Sequence, residues 1–226
     1  MLSNAAVLFD FGGTLDAEGL PWKDRFFGLC RDAGLAVSRE TFDRVFYAAD
    51  DALVGTIPRT LSFADTVQCL ARGVVDALGG ASDEAARHIA RRFVDATRSQ
   101  IEANRLILTR LHSRYRLGIV SNFYGNLAAV CDNLDLQPLF SVIVDSSVVG
   151  FSKPDPRIFQ HAMDELDLTP AAAIFVGDSF ARDMAGARAV GMRHIWLAGD
   201  GADASRACCP GDHVIRSLGD VETVLL

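Results

Sequence analysis

Short apolar runs rich in Val, Ile and Leu recur along this chain at Ala5 to Phe9, Leu117 to Val120, Val142 to Val144, Ala173 to Val176 and His194 to Leu197, with a weaker one at His213 to Ile215. None alternates strictly between apolar and polar residues, which is the pattern of strands buried on both faces of a parallel sheet. Helical patterns lie between the later runs. Ile158, Phe159, Ala162, Met163 and Leu166 keep one face behind Asp155-Pro156, a capping residue followed by a first-turn proline. A second helix is predicted from near Ala181 to Gly191, where glycine ends it. The alternation predicts an α/β fold: a doubly wound, Rossmann-like parallel sheet with right-handed crossovers.

Strand signals stop between Asp16 and about Thr97. Trp22 to Ala33 and Glu40 to Leu53 read as helices, broken by Gly34 and by Gly55 to Pro58. Ser82 to Thr97 opens with a capping serine and acidic Asp83 and Glu84, then places Ala86, Ile89, Ala90, Phe93 and Val94 on one face. The expected organisation is an α/β core of residues 1–16 and 98–226 with an all-helical insertion of residues 17–97. Hinges are expected near Asp16 to Gly19 and around Ser99 to Asn104.

At 226 residues the chain is long enough for such a core with no need of covalent staples. Its net charge of -7 argues against nucleic acid or an anionic membrane surface as the partner, while leaving room for a small anionic substrate in a locally positive cleft. Five cysteines form no CxxC pair, so a reducing cytoplasm is the simplest setting, and adjacent Cys208 and Cys209 read as small loop residues more readily than as a redox or soft-metal pair. No apolar run reaches the roughly 20 residues of a membrane span, and MLSNAAVLFD lacks the marks of a leader, so the protein is expected to begin near Met1 as a cytoplasmic monomer or homodimer.

Ligand sites in open α/β sheets form beyond the carboxyl ends of the strands. Asp10 in VLFDFGGTLD, Ser121 in LGIVSN, Lys153 in FSKPDP, and Asp178 with Asp183 in IFVGDSFARD all lie at or just after such ends. Asp10 is either a carboxylate nucleophile for phosphorus or a turn aspartate capping the next segment. The glycines after it, Gly12 and Gly13, allow backbone amides to approach an anion. Asp178 and Asp183 offer oxygen ligands that suit magnesium, although Gly-Asp after a strand is also a common turn. Ser121 and the Asn122 backbone N–H can each donate to a phosphate oxygen; Ser121 can equally just close a buried strand. Lys153 stands in a proline-bounded turn able to hold a point charge. Lys23 and Lys153 are the only lysines, so a lysine in that slot by chance is improbable.

Taken together, the four motifs in this order resemble the haloacid dehalogenase superfamily, and the helical insertion resembles its type 1 cap. The resemblance implies that Asp10 is the nucleophile and that Ser121 and Lys153 hold the transferring phosphoryl group. It further implies magnesium bound by Asp10, the Gly12 carbonyl and Asp178, with Asp183 as an additional carboxylate on the metal side. The implied activity is hydrolysis of a small phosphorylated metabolite through an aspartyl-phosphate.

One residue departs from the usual DxDGT pattern: Gly12 replaces the aspartate that protonates the leaving oxygen. A substrate with a good leaving group, a proton from Asp16, Glu18 or a cap residue, or loss of catalysis in favour of ligand or partner binding would each accommodate it. Phosphonate hydrolysis would need a cap lysine, and Lys23 reads as a solvated helix residue; dehalogenation would not need the metal carboxylates. Arg59 is a candidate for reaching a second anionic group, and Trp22 and Tyr47 for packing between cap and core.

Overall fold

The computed structural model describes residues 5–79, 83–199 and 213–225. Six parallel strands form one sheet: β1 (Ala6–Phe9), β2 (Arg116–Ser121), β3 (Val142–Asp145), β4 (Ala173–Gly177), β5 (Arg193–Leu197) and β6 (His213–Ile215). Their order is β3-β2-β1-β4-β5-β6. Each strand lies within one residue of the apolar run that predicts it. The order reverses at β1, so its carboxyl end opens onto the crevice where such sheets bind ligands.

Residues of β1 divide between two apolar clusters, Val7 and Phe9 on one face and Ala6 and Leu8 on the other. That two-sided burial is why the runs do not alternate. Gly118 on β2 is required by the packing, because a Cβ there would lie 2.5 Å from Leu8 Cδ2 and 2.6 Å from Val142 Cγ1.

Four helices are inserted between β1 and β2: α1 (Trp22–Asp32), α2 (Arg39–Leu53), α3 (Phe63–Ala77) and α4 (Asp83–His112). Ser38 caps α2 by accepting from the Thr41 N–H, and Ser62 caps α3 by accepting from the Asp65 N–H. The sequence reading lacks α3, which buries Phe63, Val67, Leu70, Ala71, Val74 and Val75. It also stops α4 too early. The buried stripe continues past Thr97 through Ile101, Asn104, Ile107, Leu108 and Leu111 with no glycine or proline to break it. Residues 99–104, expected as a hinge, therefore lie inside an unbroken helix.

The remaining helices are α5 (Leu127–Asn133), α6 (Ser146–Val149), α7 (Pro156–Leu166), α8 (Ala185–Ala189) and α9 (Val221–Leu225). Asp155 caps α7 as expected, accepting from the Arg157 N–H at 2.9 Å. Turns at Phe11–Leu15, where Gly12 and Gly13 leave the helical conformation, and at Phe180–Met184 follow β1 and β4 and carry parts of the first and last motifs. Cys208 and Cys209 lie outside the described residues. Cys30 and Cys131 are buried thiols, pushed up by burial to about 11 and about 12. Among the described residues no helix is long and apolar enough to cross a membrane.

Candidate active site

Asp10 directly follows β1, and its N–H donates to the Val176 carbonyl at 2.9 Å, extending the pairing with β4 beyond the strand. The Ser121 hydroxyl donates to Asp10 Oδ1 at 2.7 Å. Lys153 Nζ lies 2.7 Å from that same oxygen and 2.7 Å from Asp183 Oδ1. Only 4% of Lys153 is exposed. Burial works to lower its pKa, but the charges of Asp10 and Asp183 outweigh it and hold the ammonium above the ordinary lysine range. Asn122 fixes the lysine's backbone: its side-chain carbonyl accepts from the Lys153 N–H at 2.7 Å, and its amide donates to the Lys153 carbonyl at 3.1 Å. Asn122 thus acts here through its side chain on Lys153.

Asp10, Asp178 and Asp183 each offer an oxygen, all within 4.8 Å of one another. Burial, then the charges of Asp10 and Asp183, push the Asp178 carboxyl well above its usual range. Asp183 is also raised by burial, with Lys153 pulling it back. Three carboxylates around one ammonium leave an excess of negative charge, and an all-oxygen donor set is the kind that binds a hard divalent cation. Gly13 makes the cluster possible. It has φ 91°, and a Cβ on it would lie 2.5 Å from Asp178 Oδ2. Gly177 plays the same part under Asp183, where a Cβ would meet Oδ2 at 2.4 Å. The Ser179 N–H donates to that oxygen at 2.9 Å.

The Gly13 N–H, expected to approach an anion, donates instead to Asp16 Oδ1 at 2.6 Å. Asp16 is wholly committed. Its Oδ2 also accepts from Trp22 Nε1 at 2.6 Å and from Arg25 Nη1 at 2.6 Å. Arg25 in turn donates to Thr97 Oγ1 at 2.8 Å, tying α1 to α4. Burial raises the Asp16 carboxyl, and Arg25 opposes that rise. Beside this network the Trp22 indole packs against Gly12, in the space a side chain at position 12 would enter.

A cavity of about 220 Å³ lies beside Asp10 between the sheet and the inserted helices, and Gly12, Ser121, Asn122 and Lys153 also line it. Trp22, Phe46, Tyr47, Phe123 and Tyr124 supply its aromatic walls, Tyr47 from an exposed position, and Lys23, Asp24, Asp50 and Arg182 its remaining charges. Arg59 is not among them. It is exposed and lines a separate depression with Gly125, Asp145, His161 and Glu165. Glu18 is exposed and faces another cavity beside Asp16 and Trp196. Sequence reasoning missed Asp50, Tyr124 and Arg182. Tyr124 and Arg182 stand within or beside recognised motifs, whereas Asp50 on an amphipathic helix reads only as a solvated charge.

A family model described as a haloacid dehalogenase-like hydrolase matches residues 5–191. The chain belongs to the haloacid dehalogenase-like hydrolases. The mouse protein named haloacid dehalogenase-like hydrolase domain-containing protein 3 is 39% identical over 105 residues, covering 46% of this chain and 42% of that protein. A glyceraldehyde 3-phosphate phosphatase of Methanothermobacter thermautotrophicus is 33% identical over 113 residues, covering 49% of this chain and 47% of its own. The chain thus spans under half the length of these curated relatives. Among solved structures, a phosphatase of this superfamily from Thermococcus onnurineus superposes with a TM-score of 0.61 at 22% identity, covering 98% of this chain and 97% of the other. This likeness extends the shared fold over both the sheet and the inserted helices, which form the family's helical cap.

Proposed function

We propose that this hydrolase is a magnesium-dependent phosphatase that acts on a small phosphorylated metabolite through an aspartyl-phosphate on Asp10. The observation that carries the reading is Lys153, a buried ammonium bonded to Asp10 and Asp183 while the Ser121 hydroxyl donates to the same Asp10 oxygen. In this reading these donors hold phosphoryl oxygens beside the carboxylate that attacks. An Asp10 oxygen forms the new bond to phosphorus as the ester oxygen leaves with the electron pair of the broken bond. Water then cleaves the acyl phosphate, releasing inorganic phosphate and restoring Asp10. Asp10, the Gly12 carbonyl and Asp178, with Asp183 beside them, would hold magnesium, which when bound neutralises the charge of the phosphoryl oxygens. Kinship to a glyceraldehyde 3-phosphate phosphatase supports the substrate class.

The DFGGT form of the first motif bears on which ester is cleaved. Neither Asp16 nor Glu18 lines the cavity that Asp10 faces, so neither is placed to protonate the departing oxygen. Acid catalysis contributes roughly 10²–10⁴ in rate, against the ~10⁶ or more expected of an enzyme. Hydrolysis therefore survives its loss, with a bias toward good leaving groups such as acyl or anomeric sugar phosphates. One observation favours a second reading, a non-catalytic protein that binds a phosphorylated ligand: the Trp22 indole fills the space beside Gly12 where an acid would stand.

The two readings separate on phosphate release from an aryl phosphate and a panel of sugar and acyl phosphates in magnesium, with Asp10→Asn as control. Turnover that disappears in the variant supports the phosphatase. No release from any ester by folded, magnesium-loaded protein overturns it in favour of binding.

A further inference from the structure

Two carboxylates in the cavity, Asp24 and Asp50, have no part in the chemistry above. Asp50, on α2 of the cap, reaches the core, where the Tyr124 hydroxyl donates to its Oδ1. Tyr124 is 5% exposed, and burial together with the charge of Asp50 raises its phenol well above the ordinary range. It therefore remains a donor and pins the carboxylate. Asp50 Oδ2 makes no hydrogen bond among the described residues, although Asp50 lines the same cavity as Asp10, Ser121 and Lys153.

Two of the neighbouring charges are engaged elsewhere, while Arg182 faces the same cavity. Lys23 pairs with Asp43 at 3.2 Å and Asp24 pairs with Arg39. Burial holds the Asp50 carboxyl above its ordinary range, the Tyr124 hydrogen bond opposes that rise, Asp51 adds to it and Arg182 opposes it. An ionised carboxylate can only accept. Asp50 is partly buried, and its open oxygen faces the cavity, where a donor from the ligand can replace water and a second anion is repelled.

We propose that Asp50, held by Tyr124 across the seam between cap and core, is a subsite for a hydrogen-bond-donating group on the alcohol part of the substrate. The inference rests on the phosphatase reading of the same site. It names the substrate class as small phosphomonoesters whose alcohol carries a hydroxyl or an ammonium, and it places esters carrying only a carboxylate outside that class.

The test measures kcat and KM for wild type, Asp50→Asn and Tyr124→Phe on four esters: glycerol phosphate, phosphoethanolamine, phosphoglycolate and an aryl phosphate. Wild type should prefer the two donor-bearing esters over phosphoglycolate. In Asp50→Asn the ratio of kcat/KM for donor-bearing esters to that for the aryl phosphate should fall on the order of ten- to a hundredfold, the size expected for a hydrogen bond to a charged group, and mainly through KM. Tyr124→Phe should lower the ratio less, and it serves as the test if Asp50→Asn does not fold. The larger fall identifies hydroxyl or ammonium as the partner. An unchanged ratio overturns the subsite, as does an equal loss on every ester, which would make Asp50 part of the chemistry or of the fold. Wild type that cleaves the aryl phosphate without preferring donor-bearing esters defeats the subsite alone, whereas wild type that cleaves no ester defeats the phosphatase reading as well.

Discussion

Trp22 stands with its indole against Gly12, so that a Cβ on that glycine would lie 3.2 Å from Nε1 and 3.4 Å from Cδ1. The indole has little room to retreat. Its ring centroid lies 4.9 Å from that of Phe93 and 5.8 Å from that of Phe123, and Nε1 is bonded to buried Asp16. The glycine and the tryptophan therefore belong to one packing solution.

Restoring the usual acid should for that reason fail as a single change. Gly12→Ala is expected to destabilise by about 1–3 kcal/mol through overpacking, and Gly12→Asp by at least as much without a gain in turnover. Denaturant midpoints and phosphate release check both. A Gly12→Asp protein of unchanged stability and faster turnover would show that the indole does not own the slot.

Asp16 and Arg25 make a second coupled pair, one that is out of water. Replacing Arg25 by Met leaves the Asp16 carboxylate buried without its counter-charge, at an expected cost of about 3–5 kcal/mol. Adding Asp16→Asn should recover part of that loss. Urea unfolding of the single and double variants reads the coupling, and identical costs would contradict it.

Magnesium should stabilise the wild type by about 2.7 kcal/mol at a hundred times its dissociation constant. Asp178→Asn should abolish most of that gain. So should Gly13→Ala, although Gly13 offers the metal no side chain, because the added methyl would strike Asp178 Oδ2 in a backbone of φ 91°. Melting temperatures in magnesium and in chelator decide this, and a full magnesium shift in Gly13→Ala would remove the cradle from the account.

Behind Lys153, Asp155 caps α7. Hydrogen bonds from the Arg157 side chain and backbone N–H hold its carboxyl down to about 2, from an ordinary 3.8. A lowered carboxyl gives stability that is fully present above its unfolded value and fades as pH falls from 3.8 through about 2. The difference in denaturant midpoint between wild type and Asp155→Ala should accordingly be constant near neutrality and shrink between pH 4 and pH 2. A difference that grows on acidification would contradict the assignment.

The strands and the order of the motifs were legible because the central strands are buried on both faces and the Asp10, Ser121 and Asp178 motifs sit at a strand's carboxyl end, whereas Lys153 lies beyond β3 after the short helix α6. Contacts between distant segments were not. Asn122 is found beside Lys153, but no spacing rule says that its side chain would grip the lysine's peptide. Arg59 follows a loop that looked able to reach the cleft, yet it lies beside Asp145. Asp50 and Trp22 belong to cap helices whose faces toward the core depend on how α1 to α4 pack, and α3, unread in the sequence, supplies part of that packing. Phe63 at its start stands 6.2 Å, centre to centre, from the Trp22 ring.

The thirty residues of α4 form one rod about 45 Å long at 1.5 Å per residue. Its outer end packs in the cap, while Asn104, farther along, donates to the Leu15 carbonyl at 3.0 Å. On this side the cap joins the core through a continuous helix and not through a loop. Helix α4 therefore ties the cap directly to the segment behind the nucleophile, so that any shift of its outer part is referred to Asn104 and, through Leu15, to the turn that follows Asp10.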